Sequence, residues 1–475
     1  MSHRWLIFGL TILLVVISFY AARSLVVPRH DGTESSGTGA EDLPNPLRVS
    51  DPLVPFFCLL SADRQSVNLA LDRIEVNWEP SQAAMLVEML PAVGDREIRQ
   101  RVVTFLEART DKKFGRDTNK WFQFVWNANF GQHPNYLEFK AEFYSVFDSS
   151  FREYFAEEPP STIRLNEIFW GGVRRDGIPP LKEPQTVSAS QATYLEDSNV
   201  VFGIEINGDA RAYPQRILAW HEMVKDIVGG ESINGVYCTL CGAMIVYRTT
   251  VDSVHYELGT SGFLYRSNKL MYDQETKSLW STLTGRPVVG HLVGKGIELE
   301  MLQVVTTTWQ AWRERHPHTR VLSLDTGFSR DYGEGVAYKD YFNTDRLMFT
   351  VPRVDRRLQN KTPVLALRFP AVSDEQLAVS AEFLEENPVY HDQVGVQKFV
   401  ILTDKSGAHR VYETGNRRFD SWDGNCDVRD SEGAFWKLSE AELTSPDGEG
   451  LQRLPAHSAF WFGWNAAFPS TRLVK

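Results

Sequence analysis

The stretch Trp309-Gln310-Ala311-Trp312-Arg313-Glu314-Arg315-His316-Pro317 returns 152 residues later as Trp461-Phe462-Gly463-Trp464-Asn465-Ala466-Ala467-Phe468-Pro469. Each copy is followed by Thr-Arg, at Thr319-Arg320 and Thr471-Arg472. Tryptophans at i and i+3 share a helix face, and their large apolar area marks a place where a helix packs on a sheet. Working outward, Val201-Phe202-Gly203-Ile204 has a counterpart in Val364-Leu365-Ala366-Leu367. Gly242-Ala243-x-x-Val246-Tyr247 matches Gly407-Ala408-x-x-Val411-Tyr412, and Ser278-Leu279-Trp280 pairs with Ala434-Phe435-Trp436. The order is kept while the offsets drift from 163 to 152, as small deletions in a second copy would produce. The body of the chain therefore reads as two tandem β-rich repeats with packed helices, at 161–325 and 326–475.

The strand signals inside the repeats are short β-branched runs broken by turns. Val200 to Ile206 leads into Asn207-Gly208-Asp209, which predicts a hairpin with Ala210 to Tyr213 as the return strand. Upstream, residues 53–160 change texture. Ala83 to Leu90, then Ile98, Val102, Val103, Phe105 and Leu106, follow a helical period on either side of a Pro91 turn. Trp121–Phe130 and Leu137–Tyr154 continue it, so this stretch is expected to be a small helical domain of HEAT-like helix pairs, a surface for a protein partner. The fold class is α+β.

Ahead of it, Trp5 to Ala22 is an 18-residue run without charge. As a helix it would cover about 27 Å, close to a hydrocarbon core of roughly 30 Å. Residues 1–27 are read as a membrane anchor, which puts the rest of the chain on the extracytoplasmic, periplasmic face. The alternative is secretion after cleavage near Ala22-Arg23-Ser24. Residues 28–52, rich in Pro, Gly, Ser and acids, read as a flexible linker.

The 475 residues are 43% hydrophobic, 23% charged and 12% aromatic, which excludes a disordered or collagen-like chain. A net charge of -11 and the lack of any Lys/Arg block exclude a general nucleic-acid binder. Four cysteines are too few for a disulfide scaffold.

The chemically unusual spot is Tyr237-Cys238-Thr239-Leu240-Cys241-Gly242. The aligned stretch of the second repeat, Leu402-Thr403-Asp404-Lys405-Ser406-Gly407, has no sulfur. A Cys-x-x-Cys turn has three physical uses. It can present two thiolates to a tetrahedral metal, cycle between dithiol and disulfide, or staple a turn in an oxidising compartment. For a metal, His221 and Met244 are the further ligand candidates, and thiolate, imidazole and thioether together suit copper or zinc. Against a thioredoxin-type site, the motif lies between strand-like segments and does not open a long helix. A separate candidate pocket comprises Glu222, Thr260, Ser261, Asn268, Tyr272 and Asp273, where an enzyme would act on a small molecule of unknown identity without metal. No serine elbow, Walker loop or Rossmann glycine pattern is present.

Val236 to Gly242, Thr260-Ser261-Gly262-Phe263-Leu264-Tyr265-x-Ser267-Asn268, Met271-Tyr272-Asp273, Ser278-Leu279-Trp280, Thr307-Thr308-Trp309 and His316-Pro317 occur here in combination. So do Gly171-Gly172 and Asp176-Gly177-Ile178-Pro179. As a set they resemble a bacterial family known as domain of unknown function 3179, over roughly residues 165–475. The resemblance implies a bacterial, often exported protein and carries no activity. Thr239 departs from the proline expected inside the turn, a change that bears on its stiffness. The resulting expectation is soft-metal binding or thiol–disulfide redox at Cys238 and Cys241. The alternative is a non-catalytic module in which the two cysteines form a structural disulfide.

Overall fold

A computed structural model of the chain describes residues 49–61, 63–156 and 158–475. The Trp5–Ala22 run and all but the last residues of the 28–52 linker lie outside the described residues. Among the described residues no helix is long and apolar enough to cross a membrane. The fold is mixed α+β and divides after Phe169 into two compact units.

The first unit is helical, with Arg64–Val76, Gln82–Met89, Arg96–Thr110, Thr118–Asn127 and Tyr136–Ser145 as its main elements. Asp63 and Asp95 start two of these helices, each carboxylate accepting two backbone N–H groups that would otherwise lack partners. The core takes Leu71, Ile74, Leu86, Val103, Leu106 and Phe139. Lys140 is fully buried and donates to Glu88 and to the Ile168 carbonyl, while the Tyr136 hydroxyl donates to Glu88 at 2.6 Å. A buried ammonium persists only when paired in this way. The helix expected over Leu137–Tyr154 stops at Ser145. Asp148 then accepts from Ser150 N at 3.0 Å and starts a separate 3-10 turn, Ser149–Tyr154.

The second unit is built from sheets. Val200–Ile206 pairs antiparallel with Asp209–Pro214 across Asn207-Gly208, whose φ values of 51° and 80° are those a two-residue hairpin turn requires. Val305–Thr308 flanks the first strand antiparallel, and Arg320–Leu322 joins the second in parallel. Further along the chain, His457–Phe460, Pro363–Arg368, Gln376–Ser380 and Arg472–Val474 line up in the same order with the same senses. Helices Trp309–Arg315 and Trp461–Ala467 each follow an edge strand. Trp312 Nε1 donates to Thr319 Oγ1 at 2.9 Å, and Trp464 Nε1 to Thr471 Oγ1 at 3.0 Å. Gly203 lets the Trp312 ring lie on its strand, since a Cβ there would come within 2.2 Å of the ring.

A meander of Met223–Val228, Glu231–Cys238, Ala243–Arg248 and Met301–Leu302 is matched by Val389–Val394, Gln397–Thr403, His409–Glu413 and Gly450–Leu454. The set Leu258–Tyr265, Asn268–Asp273, Leu279–Ser281 and Pro287–Val289 is matched by Phe419–Trp422, Asp427–Asp430, Phe435–Leu438 and Glu442–Thr444. In each set a tryptophan indole donates to an aspartate, Trp280 to Asp273 at 3.1 Å and Trp436 to Asp430 at 2.9 Å. The later half fuses its two sets into one eight-stranded sheet, whereas the earlier half keeps them apart.

Residues 323–362 connect the halves with no strand and a single short helix, Lys339–Phe342. The division read from sequence at 325/326 falls inside this strap.

Candidate functional site

The hairpin Glu231–Cys238/Ala243–Arg248 has Cys238 opposite Ala243. Its loop turns through Thr239, Leu240 and Cys241, with Cys241 N donating back to the Cys238 carbonyl at 3.1 Å. Gly242 sits at φ 59°, and a side chain there would meet the Phe460 ring at 2.9 Å. Cys238 and Cys241 are joined as a disulfide, with Cα atoms 5.3 Å apart. Both residues are buried, at 3% and 1% exposure, which keeps the sulfurs from bulk solvent in this state. Cys58 and Cys426 are free thiols.

Three elements close on the turn. Helix Gln215–His221 ends at Glu222, which takes a left-handed backbone with φ 54°. A non-glycine residue holds that conformation at a cost, so its surroundings must fix it. Here Glu222 N donates to Leu218 O at 2.7 Å, and Tyr237 N donates to Glu222 O at 3.0 Å. The Glu222 carboxylate is buried and accepts from Thr239 Oγ1 at 2.7 Å, from the Tyr338 hydroxyl at 3.0 Å and from Lys269 Nζ at 2.9 Å. Burial, and then the neighbouring Glu222 charge, push the Tyr338 hydroxyl pKa well above its ordinary value, so it stays a donor. The residue between the two cysteines is thus tied to a buried carboxylate–ammonium pair. Such a pair is tolerated only where each charge keeps its partner.

The second element is the hairpin Leu258–Tyr265/Asn268–Asp273, which turns through Arg266 and Ser267 at φ 49° and 64°. Cys241 Sγ lies 3.5 Å from the Ser267 carbonyl oxygen. Asn268 Nδ2 donates to Gly463 O at 2.9 Å. The third element is the strap. The Tyr341 hydroxyl donates to the Leu240 carbonyl at 2.7 Å, and Ser267 Oγ donates to the carbonyls of Phe349 and Thr350 at 3.0 Å. The Phe460 amide of the later half also reaches the turn, donating to Cys241 O at 2.6 Å.

Of the metal-ligand candidates, only the two cysteines meet. The His221 ring is buried with both nitrogens engaged, Nδ1 against Pro179 O at 2.9 Å and Nε2 against the Tyr332 hydroxyl at 2.6 Å. Burial lowers its pKa, so it is a neutral imidazole at pH 7. Met244 packs in an apolar core with Val224, Tyr237 and Val246. Among the described residues no group of three or more His, Cys, Asp or Glu side chains is arranged to hold a metal ion.

The pocket candidates share a region, and their side chains bond internally. Thr260 Oγ1 donates to Ile178 O at 3.2 Å and Ser261 Oγ to Leu270 O at 2.6 Å. Tyr272 donates to Asp176, and Asp273 accepts from Thr276 N at 2.7 Å and from Trp280. Of this group, Glu222 bonds to the cysteine turn, through Thr239. A cleft of about 600 Å³ lies beside them, lined by Asp176, which accepts from Tyr272, by Gln274, by residues 179–185 and by Asp325 to Phe328 of the strap.

Sequence reading missed Lys269, Tyr338 and Tyr341. Lys269 had a visible signal, a lone cation inside a strand that is buried along its whole length. The tyrosines had none, because their role comes from where an irregular connection lands.

The later half builds the corresponding turn without sulfur. Asp404 N donates to Ala408 O at 3.0 Å, and Gly407 N to Asp404 O at 2.9 Å. Its carboxylate accepts from Ser406 N at 2.8 Å and Ala408 N at 3.2 Å. Cys238 therefore corresponds to Asp404, not to the Thr403 that ungapped alignment supplies. The sulfur-bearing loop is one residue longer.

A family model described as a protein of unknown function (DUF3179) matches residues 175–471. Neither the curated proteins nor the solved structures give a match to the chain.

Proposed function

We propose, from the premise that this chain belongs to the DUF3179 family, that Cys238 and Cys241 form a thiol–disulfide couple. The observation that carries this reading is the contrast between two turns. A corresponding reversal, one residue shorter, is closed at Asp404 by side-chain hydrogen bonds, so joining these two strands does not by itself call for sulfur. We read the two halves as copies of one unit, and the sulfur pair as an addition to one of them.

In the exchange, an opening of the turn first exposes the sulfurs, which are buried in the closed state, and a thiolate of an external dithiol then attacks one of them. The Cys238–Cys241 bond breaks and a mixed disulfide forms. The donor's second thiolate then displaces the protein sulfur. The donor ends oxidised and the protein pair reduced, two electrons having passed inward, and the two donor protons end on the freed sulfurs. The Ser267 carbonyl, 3.5 Å from Cys241 Sγ, accepts the hydrogen of that thiol. An anchor at Trp5–Ala22 would place the couple in the extracytoplasmic space, and the helical unit would dock its protein partner.

A second reading, the structural staple, draws on the burial of both sulfurs. Copper or zinc on Cys238 and Cys241 is the weaker reading, since His221 spends both ring nitrogens elsewhere. Equilibration of the folded protein with dithiol buffers of graded potential, read by thiol alkylation, separates these readings. Reduction at potentials reached by cellular dithiols, with the fold intact, supports the couple. Reduction only on unfolding makes the pair a staple. Stoichiometric metal retained by wild type and lost in Cys238→Ser restores the metal site.

A further inference from the structure

The strap touches the cysteine turn from outside at two points that differ in kind. Tyr341 donates to the carbonyl of Leu240, inside the loop between the cysteines, and Tyr338 donates to Glu222, which also holds Thr239 of that loop. The strap's earlier part lies over the His221 imidazole, with the Tyr332 hydroxyl on Nε2 at 2.6 Å and the Phe328 ring 5.1 Å from the imidazole centroid. Residues 323–362 carry one short helix and no strand; Tyr332, Ala337, Tyr341 and Val351 are buried along it, while the polar contacts at its centre, from Tyr338 and Tyr341, go to the cysteine loop and its Glu222 partner. Irregular segments of this length in compact domains are uncommon and are usually functional.

We infer that the strap is a lid latched by the oxidised Cys238–Cys241 turn, and that reduction of the pair by an external dithiol releases it. This rests on the couple proposed above. Breaking the sulfur–sulfur bond frees the loop, and the Leu240 carbonyl is no longer held where Tyr341 meets it. A released lid takes Tyr338 off Glu222 and Tyr332 and Phe328 off the His221 imidazole, and it removes the Asp325 to Phe328 wall of the 600 Å³ cleft. The sulfur pair would then act as a controller of access to a buried polar patch. Coupling of this kind is reciprocal, so weakening the lid's grip must also favour reduction.

The test is hydrogen exchange on the full chain, followed peptide by peptide in the oxidised protein, the dithiol-reduced protein and the Cys238→Ser/Cys241→Ser variant. Expected is faster exchange, by about ten-fold or more, across 332–350 in both states that lack the disulfide, with strands 397–403 and 409–413 unchanged. Unchanged protection of the strap in a protein shown to be reduced overturns the lid and leaves the couple standing. Release in the serine variant, in a protein whose native pair resists dithiols, overturns the couple and leaves the latch. A Tyr341→Phe variant keeps the sulfurs and guards against misfolding of the double variant. Its pair should reduce with an equilibrium constant raised about five-fold, the worth of one hydrogen bond of about 1 kcal/mol. An unaltered constant in that variant, with unaltered strap exchange, also overturns the latch.

Discussion

The turns at Cys238–Gly242 and Asp404–Ala408 solve one geometric problem in two ways. Each joins the second and third strands of a four-strand meander and is closed by a backbone hydrogen bond across the loop. At Asp404 the side chain does the closing, and its other oxygen binds Arg410, the entry to a buried network with Glu440 and Arg453. At Cys238 a covalent bond does it, and the neighbouring charges, Glu222 and Lys269, come from other elements. Each turn is also reached from the other half, the first by the Phe460 amide on Cys241 and the second by Thr307 Oγ1 on Ser406 Oγ at 2.9 Å, so the two differ in how they are closed.

The largest expected effect tests whether the first turn's charges are sealed. Lys269→Met strands the Glu222 carboxylate and should cost about 3–5 kcal/mol in urea unfolding, as should Arg410→Met in the second half. A loss below about 1 kcal/mol for Lys269→Met would mean that water reaches Glu222.

The next effect belongs to the second half. His409 is half-buried, and loss of solvent around its ring pushes its imidazole pKa down to about 4. The unfolded chain takes up a proton near pH 6.5 where the folded chain does not, so its contribution is intact above pH 6.5 and is lost as pH falls toward 4. The loss amounts to about 3 kcal/mol at its upper bound. Unfolding midpoints measured from pH 7 to pH 4.5 should show this slope, and a His409→Asn variant should make it shallower, with buried His457, whose pKa is pushed down to about 3, still contributing. Met244, which stands at the corresponding strand position of the first half, titrates nothing.

Smaller again is the disulfide. A loop this short restricts the unfolded chain by about 2 kcal/mol, the expected cost of Cys238→Ser/Cys241→Ser. Asp404→Ala should lose about 1–3 kcal/mol through its unmade hydrogen bonds, and a far larger loss at either turn would break the equivalence. The smallest effect is at the strands beneath the tryptophan helices. Ala366→Gly should cost only about 0.5–1 kcal/mol, by chain entropy. Gly203→Ala should cost at least about 1 kcal/mol, because the Trp312 ring occupies the space. Melting temperatures of the two variants give the ordering.

Part of the architecture was legible because bulky residues recur at long range, and the strands that carry them pair in the same order in both halves. The tryptophan pairs, the Asn207-Gly208 turn and the Trp280 and Trp436 strands all lie where their spacing put them. The sulfur pair was legible for the same reason, since its counterpart lacks it. The one-residue difference in loop length was not, because glycines at 242 and 407 offer an ungapped match that hydrogen bonding does not follow. The break after Ser145 was hidden by aromatics that continue a helical period past the point where Asp148 diverts the backbone. Glu222 was picked as a pocket residue, yet its partners come from three distant parts of the chain, which local pattern cannot encode.

The Phe460 amide and ring press on Cys241 and Gly242 from a strand more than two hundred residues downstream. The two halves therefore brace each other's turns, since Thr307 of the earlier half reaches Ser406 of the later one at 2.9 Å. Severing the polypeptide within the strap would leave the N-terminal fragment with an unbuttressed thiol loop, and only re-association of both fragments would restore it.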